Sequence, residues 1–150
     1  MDKSKAILVT GATGYIAGWI IERLLNQGYK VHATVRDPSK KDKIQHLYDL
    51  AEKSSGEIHF FKADLLEAHS FDEAMKGCEV VIHTASPFVV TNYKDAVKDI
   101  IEPAVKGTEN VLDSVNRTDS VKRVVVTSSI ASTYGDAIEI QNTANNEFDE

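Results

Sequence analysis

The residues of this chain best suited to chemistry are small and hydroxylated, and the densest group is Thr10-Gly11-Ala12-Thr13-Gly14-Tyr15-Ile16-Ala17-Gly18. It directly follows the apolar run Ala6-Ile7-Leu8-Val9. Four consecutive apolar residues read as a buried parallel strand and residues 15–27 read as an amphipathic helix, so the glycine turn lies between the two. At a helix N-terminus the first N–H groups lack intrahelical acceptors and the dipole is positive. A pyrophosphate can rest there on backbone that a Cβ would otherwise obstruct. Gly11, Thr13, Gly14, Tyr15 and Ile16 are the candidate contacts, and a dinucleotide is the expected ligand. The spacing is G-x-x-G-x-x-A with Gly18 one place later, a departure from G-x-G-x-x-G. A turn that only joins strand to helix is the competing reading.

Further along, Arg36 stands about 25 residues after Gly11, where dinucleotide folds contact the adenosine ribose. A carboxylate there suits the 2′-OH of NAD, whereas a guanidinium with Lys40, Lys41 and Lys43 just beyond suits a 2′-phosphate and favours NADP. Two readings compete with this: a solvated basic helix end, and Asp37 reaching the ribose instead. Asp64 either accepts from the adenine amino group while Leu65 packs on the ring, or caps the next turn. Thr84, Ala85 and Ser86 are small enough to let the nicotinamide ribose and phosphates lie against their strand. Thr127, Ser128 and Ser129 follow a run of valines, and one of the serines could donate to a substrate carbonyl oxygen during hydride transfer. Capping the next turn is the alternative for them.

These groups need elements to bring them together. Alternation over residues 30–35 predicts a second strand, with Pro38 at the first position of the next helix. Helical spacing at Ile44, Leu47, Tyr48 and Ala51 follows, closed by Ser54-Ser55-Gly56. A third strand covers residues 57–63, and Ser70-Phe71-Asp72-Glu73 has the form of a capping box opening a short helix that Gly77 ends. Residues 79–84 form the fourth strand. Residues 95–116 are helical by spacing, with Pro103 either starting or kinking that helix. The fifth strand is residues 122–127. Strands alternating with helices predict an α/β, Rossmann-type, doubly wound parallel sheet of order 3-2-1-4-5. In such sheets ligands bind at the carboxyl ends of the strands, where Thr10-Gly11, Arg36, Asp64, Thr84-Ala85-Ser86 and Thr127-Ser128-Ser129 all fall.

The 150 residues suffice for one domain with a core, and 42% apolar with 27% charged residues is ordinary for a globular protein. A net charge of −6 argues against general nucleic-acid or acidic-membrane partners. The apolar run near the N-terminus is too short for a signal peptide or membrane span, which makes the expected location cytoplasmic. Cys78 is the only cysteine, which reads as packing before a strand. The five histidines show no metal-ligand spacing, and no metal site is expected. Asn116-Arg117-Thr118 matches a glycosylation acceptor that a cytoplasmic chain would not use.

Taken in order, Thr10 to Ala17, Ala33-Thr-Val-Arg-Asp-Pro38, Lys62-Ala-Asp-Leu65, His83-Thr-Ala-Ser-Pro87 and Arg123-Val-Val-Val-Thr-Ser-Ser129 resemble segments of the extended short-chain dehydrogenase/reductases. Within them the chain is similar to the dihydroflavonol reductase, cinnamoyl-CoA reductase and aldehyde reductase group. The resemblance implies NADP(H) as cofactor, with Arg36 and Lys43 on the 2′-phosphate, Asp64 and Leu65 on the adenine, and Thr84 to Ser86 on the nicotinamide side. It further implies a small-molecule carbonyl substrate and Ser129 as the catalytic serine beside a tyrosine. That tyrosine belongs to a Tyr-x-x-x-Lys motif, which this chain lacks. Tyr15, Tyr29, Tyr48, Tyr93 and Tyr134 are followed four places on by Trp19, Ala33, Glu52, Val97 and Ile138. Tyr134, in Ser-Thr-Tyr-Gly, matches a family segment with a packing role. The expectation is therefore an NADP-binding domain over residues 1–150, the N-terminal half of a longer reductase, truncated before a sixth strand and inactive alone. Self-association through the exposed fifth-strand edge is expected with it. A nucleotide-sugar epimerase or dehydratase is a second reading, against which Arg36 speaks. A non-catalytic NADP-binding sensor is a third.

Overall fold

The computed structural model describes residues 2–87, 94–129, 132, 135 and 137–143. In chain order these form β1 (Ala6–Thr10), α1 (Tyr15–Asn26), β2 (Lys30–Val35), α2 (Lys41–Glu52), β3 (Glu57–Lys62), α3 (Asp72–Met75) and β4 (Cys78–His83). A π-helical turn (Val97–Ile101), α4 (Glu102–Asn116), β5 (Arg123–Val126) and a 3-10 segment (Ala137–Asn142) follow. All strand pairs are parallel and the order is β3-β2-β1-β4-β5, the order the sequence predicts. Parallel neighbours need long crossovers, and the helices supply them.

Every residue of β1 is buried because both faces of the sheet are covered. Ile7 and Val9 join the layer under α1 and α2 with Ile21, Leu25, Ile44 and Leu47, while Ala6 and Leu8 join Phe71, Met75, Val81 and Val111 under α3 and α4. Each fully buried branched side chain contributes roughly 1.5–3 kcal/mol. The β1–β4 register slips once: Ala6 pairs with Cys78 but Ile7 with Val80, so Glu79 is the extra residue of a bulge. From there on Thr10 stands opposite His83.

The structure changes or decides several local expectations. Pro38 precedes α2 without starting it, because Asp37 Oδ1 accepts from Ser39 N (3.0 Å) and Ser39 Oγ (2.6 Å) in a turn that delays the helix to Lys41. Ser70 does not cap α3; its hydroxyl donates to Asp64 O (2.7 Å) and accepts from Asp64 N (3.1 Å), and Phe71 stands at the N-cap. Beside it, Asp72 Oδ1 accepts from Ser114 Oγ (2.5 Å) and Arg117 Nη2 (3.0 Å), which ties α3 to α4. Of the two readings for Pro103 the start holds: α4 begins one residue before it, and a π-helical turn leads in. A ring that removes one N–H and crowds the preceding turn is accommodated by that wider coil. Finally, three strands shift at their ends: β3 stops at Lys62, β4 runs from Cys78 to His83, and β5 runs from Arg123 to Val126.

Candidate functional site

The carboxyl ends of β1, β2, β3 and β4 open onto one crevice of about 500 Å³. Its walls include Gly11, Thr13, Gly14, Arg36, Asp64, Leu65, Thr84, Ala85 and Ser86. Nine residues named from sequence thus converge although 75 positions separate the first from the last. Tyr15 and Ile16, on the first turn of α1, are exposed and lie outside that lining, as does exposed Lys43 on α2. Thr127 and Ser129 are exposed beyond β5, also outside the lining. Tyr134 falls outside the described residues.

The floor of the crevice is a turn only particular residues can make. Gly11 has φ +67°, and a Cβ there would lie 3.0 Å from the Cα and Cβ of Ala85. A Cβ on Gly14 would come within 3.2 Å of Gly11 O, whereas Gly18 has open space around it. Gly14 is the N-cap of α1, so no side chain accepts from the first-turn N–H groups, and no carboxylate stands in that turn. A helix N-terminus in this state favours an anion. The residues fit a pyrophosphate: the cradle is one that a methyl group would fill, and its donors are backbone.

Two buried threonines hold this turn, and sequence reasoning gave neither a role of this kind. Thr34 accepts at Oγ1 from Gly11 N (3.3 Å) and at its carbonyl from Ala12 N (3.0 Å), which binds the turn to β2. Thr10, fully buried, accepts at Oγ1 from Thr84 N and Ala85 N (both 3.1 Å) and lies 2.8 Å from His83 Nδ1. The available signal was a hydroxyl-bearing residue in the last two places of a strand, Thr10 in β1 and Thr34 in β2. Thr84 Oγ1 donates to Thr10 O (2.6 Å), so its own proton is committed within the protein.

The polar ends of β2 and β3 divide their work. Asp37 is engaged by Ser39, and that bonding holds its carboxyl below the usual carboxylate range. Arg36 is exposed, and among the described residues its guanidinium makes no ion pair. Asp64 Oδ1 accepts from Leu66 N (2.9 Å), the turn-capping bond, while the residue also lines the crevice. Past β5, Thr127 N donates to His83 O (2.9 Å), Ser128 and Ser132 hydroxyls lie 3.1 Å apart, and Ser132 Oγ donates to Ser129 O (2.6 Å). Cys78 donates to Ala74 O (3.3 Å), and burial pushes its thiol up to about 12, leaving it a packing residue. On α1, Trp19 is exposed and meets Tyr15 edge to face at 6.4 Å.

Residues 7–149 match a family described as the NAD dependent epimerase/dehydratase family. The chain belongs to that family. Of the curated relatives, cinnamoyl-CoA reductase CAD2 of Medicago truncatula is 50% identical over 125 residues, covering 83% of this chain and 38% of that protein. A putative anthocyanidin reductase of Ginkgo biloba is 48% identical over 131 residues, covering 86% and 37%. The structure of Gre2 from Candida albicans in complex with NADPH superposes with a TM-score of 0.72 at 32% identity, covering 89% of this chain and 41% of that one. The chain thus spans about two fifths of the length of these relatives. The likeness to the cinnamoyl-CoA reductase group within the family stands on whole-segment identity and not on the glycine turn alone.

Proposed function

We propose that this chain binds NADP(H) and forms, over residues 1–150, the cofactor-binding part of a reductase that turns an aldehyde or ketone into an alcohol. The observation that carries the reading is the convergence of the glycine turn, Arg36, Asp64 and residues 84–86 on one crevice, with a guanidinium and not a carboxylate at the end of β2. The NADPH complex of Gre2 and the reductase names of the relatives support it. When bound, NADPH supplies the hydride. The turn before α1 would hold the pyrophosphate on backbone N–H groups, with Tyr15 and Ile16 contributing theirs from the first helical turn. Arg36, with Lys43 beyond it, would hold the 2′-phosphate by charge-assisted donation, and Leu65 and Asp64 would flank the adenine. Thr84, Ala85 and Ser86 leave room for the nicotinamide side. Ser129 would donate to the substrate carbonyl oxygen, and without a Tyr-x-x-x-Lys motif these residues alone are not expected to complete the reaction.

Parallel calorimetric titrations with NADPH and NADH test this. NADPH should bind at least about tenfold tighter, and Arg36→Ala should remove most of that preference, a loss of about 1.5–3 kcal/mol for a hydrogen bond to a charged group. Equal affinities for the two would remove the phosphate assignment, and binding of neither would remove the cofactor reading.

A further inference from the structure

His83 and Thr10 stand one layer behind the crevice and do not line it. Both are buried, at 4% and 0% exposure, where an imidazole without a partner is costly. The strand around His83 is otherwise the apolar sequence Val80-Val81-Ile82, so an aliphatic residue would satisfy packing. The bulge at Glu79 is what brings the pair together. Without it the register begun at Ala6 and Cys78 would set Thr10 opposite Ile82.

The bonding capacity of one hydroxyl decides the tautomer. Thr10 Oγ1 accepts from two backbone N–H groups, those of Thr84 and Ala85, which occupies both lone pairs. Its single proton therefore points to His83 Nδ1 at 2.8 Å, and that nitrogen must be unprotonated. One of the two N–H groups so held belongs to Ala85, which Gly11 approaches so closely that a Cβ there would lie 3.0 Å from it, and the other to Thr84 just before it.

We propose that His83 is a positioning residue for the dinucleotide crevice: by accepting the Thr10 hydroxyl proton, it fixes that hydroxyl as the double acceptor that holds Thr84 and Ala85 and so seats Ala85 against Gly11. The inference rests on the NADP(H) reading for its effect on binding, and on hydrogen bonds alone for its effect on residues 84 and 85. A merely structural histidine would change global stability and leave these two amides no worse protected than their neighbours.

The test uses the whole chain with His83→Leu, His83→Asn, Thr10→Val and Thr10→Ser. Asparagine can place an acceptor oxygen where Nδ1 stands, and valine keeps the shape of threonine, so Thr10→Val sets the full loss expected when the double acceptor itself is removed; should leucine at 83 prevent folding, His83→Phe, an apolar ring of similar shape, takes its place. Amide hydrogen exchange by NMR is read at Thr84 and Ala85 relative to β1, and NADPH affinity is measured alongside. His83→Leu and Thr10→Val should lose about tenfold or more in both, while His83→Asn and Thr10→Ser stay within about threefold of the unchanged chain, as expected for a bond worth about 1–2 kcal/mol. Unchanged exchange and affinity in Thr10→Val, or an asparagine variant as impaired as the leucine variant, would overturn the proposal. Should the unchanged chain bind no NADPH, the cofactor reading falls while amide exchange still decides the role of His83.

Discussion

At the scale of single residues, a methyl group added at Gly11 and one added at Gly18 would meet different surroundings although both belong to one glycine-rich stretch. Gly11 has positive φ and Ala85 pressed against it. Gly18 lies inside α1 with nothing within 4 Å of an added Cβ. Gly11→Ala should therefore destabilise the chain by about 2 kcal/mol, combining left-handed strain of ~1–2 kcal/mol with displacement of residue 85, and should weaken NADPH binding. Gly18→Ala should instead raise stability by up to about 1 kcal/mol and leave binding intact, since alanine is the better helix former. Urea unfolding midpoints compare the two; equal losses would show that the turn is not built on Gly11. The aspartates carry a similar lesson in chemistry. Asp37 and Asp64 each bond a residue two places on, so neither carboxylate is simply waiting for a ribose or an adenine.

Among the elements, β2 was legible to the residue, because Lys30–Val35 alternates cleanly and ends in a charged pair. The strand order and the convergence of Gly11, Arg36, Asp64 and Thr84 were legible for a related reason: they follow from element order and the handedness of crossovers. The bulge at Glu79 was not, since register is a property of two strands and neither sequence alone carries it. Ser70 was misread because its hydroxyl could serve the helix or Asp64, and local pattern does not rank the two. Thr10 is legible as a strand end beside the glycine turn and Thr34 only as a strand residue; that both hold the turn depends on which loop packs against them. At the far end, β5 has Val125 and Val126 about half exposed, and among the described residues nothing pairs with its outer edge. Such an edge templates association. The 150-residue chain should show a weight-average mass that rises with concentration in sedimentation equilibrium, and Val125→Lys should suppress the rise; a constant monomer mass in the unchanged chain would refute it.

For the molecule as a whole, the two layers differ in kind. The side under α1 and α2 is almost wholly apolar, whereas the side under α3 and α4 holds His32 and His83 with Thr10, Thr34 and Asn110. Burial lowers both imidazoles below the ordinary value of 6.5, and His32 Nδ1 donates to Ala74 O at 2.7 Å. Unfolding frees these rings to bind protons near that ordinary value, so the unfolded chain takes up more protons in the window just below it. Stability should be full above about pH 6.5 and fall as the pH drops below that value through the lowered ones. Urea midpoints from pH 7 to pH 5 should decline, less steeply in His83→Asn; a flat profile would contradict the burial of either ring. The exposed ring on α1 has a consequence of another sort. Trp19 is the only tryptophan in the chain and stands one helical turn past the glycine cradle. Its emission is therefore a single-site signal that reports on the first turns of α1, where Tyr15 stands against it, with no label to attach.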